Sequence, residues 1–169
     1  MCKIIASICL LIFAGVGIGQ AQSARQPSTA IRPFIVKTKQ SVAELERTLS
    51  VDNKVEDLTG GAGTQLRVAV QHDKLRENAD AELHDDSDDV YYVLEGTAKL
   101  TLGGTLDAPR EASPGEWKSA KIIGGSVYEI KKGDLIIVPR GTPHQRNSIK
   151  GKEFSMILIK VFKDPVAAK

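Results

Sequence analysis

Cysteine is nearly absent: Cys2 and Cys9 are the only two, and both stand at the very start of the chain. Once a leader carrying them is removed, no disulfide, thiolate ligand or cysteine nucleophile remains. Histidine is scarce too, with three in 169 residues, so any imidazole chemistry falls to His72, His84 or His144. An excess of charge of one sign is missing, with 23 Lys+Arg against 21 Asp+Glu. No basic stripe with interleaved aromatics occurs, which argues against nucleic acid as a partner. The one long apolar run, Ile4 to Ile18, is shorter than the about 20 residues a spanning helix needs, so no stable membrane span is expected. No internal repeat is evident, and the length suits one globular domain with a real core.

What is present begins with that run. Lys3, the apolar stretch and the small residues of Gly19-Gln20-Ala21 or Ala21-Gln22-Ser23 form a secretory signal pattern over residues 1–21. The expectation is an exported protein, periplasmic or secreted, whose mature chain starts near Gln22 or Ala24. Residues 22–65 read as a lead-in, flexible at first because of its Ser, Gln, Pro and Arg content. Ser41-Val42-Ala43-Glu44 has the form of a capping box, and Val42, Leu45 and Leu49 follow at helical spacing. A short helix to about Leu49 is expected there, with loop from Asp52 to Gln65.

From Leu66 the period changes to two, and residues 66–163 read as a β domain. Leu66, Val68, Val70 and His72 share one face of the first strand, which directs His72 inward, either as a hydrogen-bonded core residue or as part of a pocket lining. Thr97 to Leu102, Ser126 to Lys131, Leu135 to Val138 and Phe154 to Phe162 are further strands. The last is apolar on both faces, which implies cover on both sides. Thr105 to Gly125 is a long Pro/Gly-rich stretch holding the only tryptophan, Trp117. It is either a lid over a pocket or a surface excursion anchored by Trp117.

The chemistry concentrates in two stretches. In the first, Glu82 and His84 project together from an extended strand, and Asp89 shares a face with Tyr91 and Val93 beyond an acidic turn. If the two strands pair, two carboxylates and an imidazole meet on one side as a candidate metal site. Asp88 could stand in for Asp89. The second stretch, Gly133 to His144, is a turn, an apolar strand and a corner bent by Pro139, Gly141 and Pro143 that aims His144.

Together these stretches resemble the two motifs of the cupin superfamily, usually written G-x5-H-x-H-x(3,4)-E-x6-G and G-x5-P-x-G-x2-H-x3-N. The second fits from Gly133 through Pro139 and Gly141 to His144, with Asn147 one place early. The first fits with His84 as second histidine, Asp89 in the glutamate position and Gly96 at its end. It departs at Glu82, where the first histidine belongs, and at Arg76, where the opening glycine belongs. The resemblance implies an all-β, single-domain, jelly-roll β-barrel with a short N-terminal helix. It also implies one divalent transition metal ion, iron, manganese, zinc or nickel, on His84, Asp89 and His144. Glu82 is then a fourth ligand, a residue that orients one, or a general base.

Tyr91 and Arg146 share faces with Asp89 and His144 and could meet a substrate's oxygens, or simply pack in the core. With His72 and Trp117 they complete the candidate pocket. Two functions stay open: a metal-dependent oxygenase or isomerase/lyase acting on a small oxygenated molecule, or a barrel that binds a small ligand without turnover. The apolar outward set Val90, Tyr92 and Leu94 predicts a homodimer.

Overall fold

The computed structural model describes residues 27–30 and 32–167. The expected signal segment lies outside them. The chain divides into two units at Ile35 and Val36, and every helix and strand described here belongs to the second. No described helix is long and apolar enough to cross a membrane.

Helix α1 spans Lys39–Leu49 and starts earlier than Ser41. Thr38 is its cap: the Thr38 side chain accepts from the Ser41 N–H at 3.1 Å, satisfying a first-turn donor. Ser41 thus lies inside the first turn. Twelve strands follow: β1 (Lys54–Thr59), β2 (Leu66–Asp73), β3 (Ala81–His84), β4 (Ser87–Leu102), β5 (Thr105–Leu106), β6 (Arg110–Ser113), β7 (Glu116–Ser119), β8 (Ile122–Ile123), β9 (Ser126–Lys131), β10 (Leu135–Val138), β11 (His144–Ser148) and β12 (Phe154–Phe162). Two of these correct the sequence reading. The stretch expected to be loop after Asp52 contains β1, an edge strand on β2 whose sparse apolar residues gave no alternation. The Thr105–Gly125 excursion is half strand, and β7 pairs with β3 instead of forming a lid.

The barrel is two antiparallel sheets that share β4. Its first half pairs with β12 and β10, in a sheet that β2 and β1 extend. Its second half pairs with β9 and β11, in a sheet that β3, β7 and β6 extend. The strand turns from one sheet into the other at Gly96; just before it, between Val93 and Glu95, the register against β12 slips and Leu94 is the extra β4 residue accommodated. Between the sheets, Val93, Leu100, Ile130, Phe154 and Met156 form a buried apolar core. This is an all-β jelly roll with one short helix.

The strands β3 and β4 do not pair with each other, contrary to the hairpin expected across the acidic turn. Asp85 and Asp86 carry the chain between sheets instead, and the two halves of the first motif face each other across the interior. The face of β2 is also reversed. Ala69 and Gln71 point inward against Leu158 and Met156, while Val70 and His72 face outward, Val70 being fully buried. Periodicity marked the apolar side correctly but not which apolar layer covers it, because α1 supplies a second one.

Gly96 has φ of +81°, and a Cβ there would lie 2.0 Å from the Glu153 carbonyl oxygen. Gly141 has φ of +76° but open space around it. Gly96→Ala is therefore expected to lose about 3 kcal/mol or more, from backbone strain plus displacement of β12. Gly141→Ala should lose only about 1 kcal/mol, the left-handed penalty alone. Urea denaturation of both variants checks the difference.

Candidate metal centre

One sheet supplies three of the expected ligands. Glu82 and His84 alternate inward from β3, and His144 opens β11 directly opposite Glu82. The ligand atoms of Glu82, His84 and His144 all lie within 4.8 Å of one another, the one such group among the described residues. Asp89 approaches from the facing sheet. Its Oδ2 is 3.5 Å from His84 Nε2 and 3.9 Å from His144 Nε2, while Glu82 Oε2 is 3.9 Å from His144 Nε2. So Glu82, at the place where the motif pattern has histidine, stands in the tight group, and the shorter Asp89 stands across from it.

Both imidazoles are held by their far nitrogens. His84 Nδ1 donates to Glu116 at 2.5 Å, and His144 Nδ1 donates to the Thr142 carbonyl at 3.0 Å. Neither partner can donate, so both rings carry hydrogen on Nδ1. Both Nε2 atoms are buried without a hydrogen-bond partner. The rings lie 5.0 Å apart. Two buried, unpartnered imidazole nitrogens beside two carboxylates fit a divalent transition metal ion, with Glu116 and Thr142 orienting its ligands.

The neighbouring charges keep both carboxylates ionised and favour charge on His84. Burial works against charge on His84, but the carboxylates of Asp89 and Glu116 outweigh it and push the pKa up to about 9. Burial lowers that of His144. Burial also opposes ionisation of Asp89, yet His84 and Lys160 hold its carboxyl well below the usual range. Glu82 is lowered as well, with burial overcome by the Lys118 ammonium at 2.8 Å. Lys160 Nζ sits 2.9 Å from Asp89 Oδ1.

The remaining expected residues divide. Tyr91 lines the cavity beside the site, and its hydroxyl donates to Asp89 Oδ2 at 3.0 Å. Burial and the neighbouring Asp89 push its pKa up, so the phenol stays a donor. Arg146 lines the same cavity, but its guanidinium is taken up by Asp73 at 2.9 and 3.0 Å and packs over the Tyr91 and Phe154 rings. His72 does not reach the site. It faces α1, with Nδ1 at 3.1 Å from the Asp52 carbonyl and Nε2 at 3.3 Å from Glu153. Trp117 is also outside it, on the outer face of β7 beside Leu83, with its indole N–H donating to Asp85 at 2.7 Å. Asp88 is no substitute for Asp89: Arg140 binds it at 2.9 and 3.0 Å, and those hydrogen bonds hold its pKa at about 2.

Glu116, Lys118 and Lys160 belong to the site and were not singled out from the sequence; Arg76, noted there only for standing at the opening-glycine position, lies beside it, 3.8 Å from Glu82. The alternation Glu116-Trp117-Lys118 was a strand signal inside a stretch that looked like loop. Lys160 stood out only as a lone charge on the face of Met156 and Leu158, where it could have been noticed.

No family model and no curated protein matches this chain. Solved structures do. BH2720 from Bacillus halodurans is 18% identical, with a TM-score of 0.51, and the match covers 82% of this chain and 88% of that one. The cupin domain of Cnp3 from Schizosaccharomyces pombe is 14% identical, with a TM-score of 0.48, covering 64% of each chain. A cupin protein from Bacteroides fragilis, BF4112, is 13% identical, with a TM-score of 0.45, covering 83% of this chain and 92% of that one. At such identities the likeness is one of fold. The chain is a jelly roll in which the two stretches rich in ligand-type residues converge on one interior site.

Proposed function

We propose that this protein holds one divalent transition metal ion, iron, manganese, zinc or nickel, and binds or transforms a small oxygenated molecule beside it. The observation that carries the reading is the pair of buried, unpartnered Nε2 atoms of His84 and His144 facing Glu82 and Asp89. A bound ion would act as a Lewis acid toward a carbonyl or carboxyl oxygen, the chemistry shared by oxygenase and isomerase/lyase uses of such a site. The chain's own residues do the rest. Glu116 and Thr142 fix the rings, Tyr91 presents a hydroxyl, and the apolar core below Tyr91 excludes water. The alternative is a ligand-binding barrel without turnover, and metal analysis followed by turnover assays separates the two. We place the protein outside the cytoplasm, on the pattern of Lys3 and the Ile4–Ile18 run. We also propose a homodimer. Leu135 and Ile137 are 63% and 64% exposed beside Tyr92 at 44%, an uncharged face that a second copy would match.

His84→Ala and His144→Ala should each lose most of the bound metal, measured by elemental analysis, while far-ultraviolet circular dichroism stays that of a folded barrel. Glu82→Gln should lower metal affinity and Glu82→His should largely restore it. Full occupancy in Glu82→Gln would instead make Glu82 a base.

The pH dependence has two opposite limbs. Without metal, the charge on His84 contributes stability below pH 6.5 that is lost as pH rises through about 9. Metal must displace that proton, so its affinity should rise over the same interval, by about tenfold per pH unit. Calorimetry in buffers of different ionisation enthalpy should show proton release on zinc binding near neutral pH.

For the dimer, sedimentation equilibrium should give twice the chain mass, and Ile137→Asp should give monomers. A monomeric wild-type profile at high concentration would remove the proposal.

A further inference from the structure

Beside the site lies a cavity of about 210 Å³ lined by Arg67, Arg76, Arg146 and Lys160 against only two carboxylates, Glu82 and Asp89. We infer that it takes a small carboxylate anion, with Arg76 as the anchoring cation. This rests on reading the cavity as the place where a bound molecule meets the metal.

The argument is one of unmatched charge. Arg146 is neutralised by Asp73, and Arg67 by Asp57 at 2.7 Å. Lys160 pairs with Asp89. Glu82 Oε1 is taken by Lys118 at 2.8 Å, and the Arg76 terminal nitrogen lies a full 3.8 Å from that same oxygen. Among the described residues, Arg76 is thus the lining cation whose one carboxylate, Glu82, is held more closely by Lys118, and its Nε is buried with no partner. A bound divalent ion sharpens the imbalance. It would draw on the charges of Glu82 and Asp89, leaving Arg76, Lys118 and Lys160 undercompensated in a partly dry interior.

Position and shape select the ligand. The Arg76 N–H donates to Ser148 Oγ at 2.7 Å, and the Ser148 N–H donates back to the Arg76 carbonyl at 2.8 Å, which pins the residue beside β11. Its side chain keeps 30% exposure, so a ligand can reach it. A planar guanidinium fork matches the two oxygens of a carboxylate. The volume falls below the about 300–1,000 Å³ of pockets for drug-sized ligands, so the anion is small.

Calorimetric titration of the full-length protein with malonate, malonamide and inorganic phosphate, with and without zinc, tests this. Malonate should bind about tenfold or more tighter than malonamide, because the charge-assisted bonds are lost with the amide. Arg76→Gln should weaken malonate by about tenfold or more, and Arg76→Lys should recover part of that. Zinc stoichiometry should be unchanged in both variants. Equal affinity for malonate and malonamide, or an Arg76→Gln protein that binds malonate as wild type does, overturns the inference. Phosphate binding without malonate binding overturns the choice of carboxylate. A wild-type protein that takes up no zinc yet binds malonate through Arg76 supports the anion site and removes only the metal reading.

Discussion

The contact between the Gly96 α-carbon and the Glu153 carbonyl is the constraint from which the interior follows. It is close enough that even a methyl group would collide. Because β4 can turn there, one strand serves both sheets, and the sheets face each other at a defined spacing. Asp89 and Tyr91 on its first half then look across at His84 and His144. A β4 confined to one sheet would leave Asp89 without those partners.

Along β4 the inward positions pass from Asp89 through Tyr91 to Val93, that is, from a charged site through an amphipathic ring into a dry core. Tyr91 marks the boundary, its ring packed among apolar residues and its hydroxyl on Asp89. Arg146 closes the same boundary from β11, its charge absorbed by Asp73 and its guanidinium over the Tyr91 and Phe154 rings. The apolar half holds the fold, while the polar half carries desolvated charges that Lys118, Lys160 and Asp73 pair, leaving the His84 and His144 Nε2 atoms and the Arg76 Nε without partners.

How the site is oriented differs from a simple cluster of ligands. Glu116, from a strand that looked like loop, fixes His84, and the backbone at Thr142, in the Pro/Gly corner, fixes His144. Each histidine therefore offers a single nitrogen to the shared space. The preorganisation is paid in burial of Glu82, Asp89 and both rings, and Lys118 and Lys160 offset part of that cost.

The sequence by itself determined the all-β class, the strand positions from Leu66 onward outside Thr105–Gly125, and the two segments rich in ligand-type residues. These are local matters: side-chain period, turn residues, and the Pro and Gly residues that bend a corner. It also marked Arg76 and Glu82 as departures from the motif pattern without saying what they do. Only the tertiary structure decided that β3 and β4 face each other across the interior, and that His72 looks out toward α1. It alone placed Trp117 on the outer surface and drew Lys160 and Glu116 to the site. Alternation along a strand names two faces but cannot say what covers each, and here sheet and helix both present apolar cover to β2. Which face becomes interior depends on pairing between residues far apart in the chain, such as Ser155 with His72 and Phe154 with Gly96, and no local pattern encodes that.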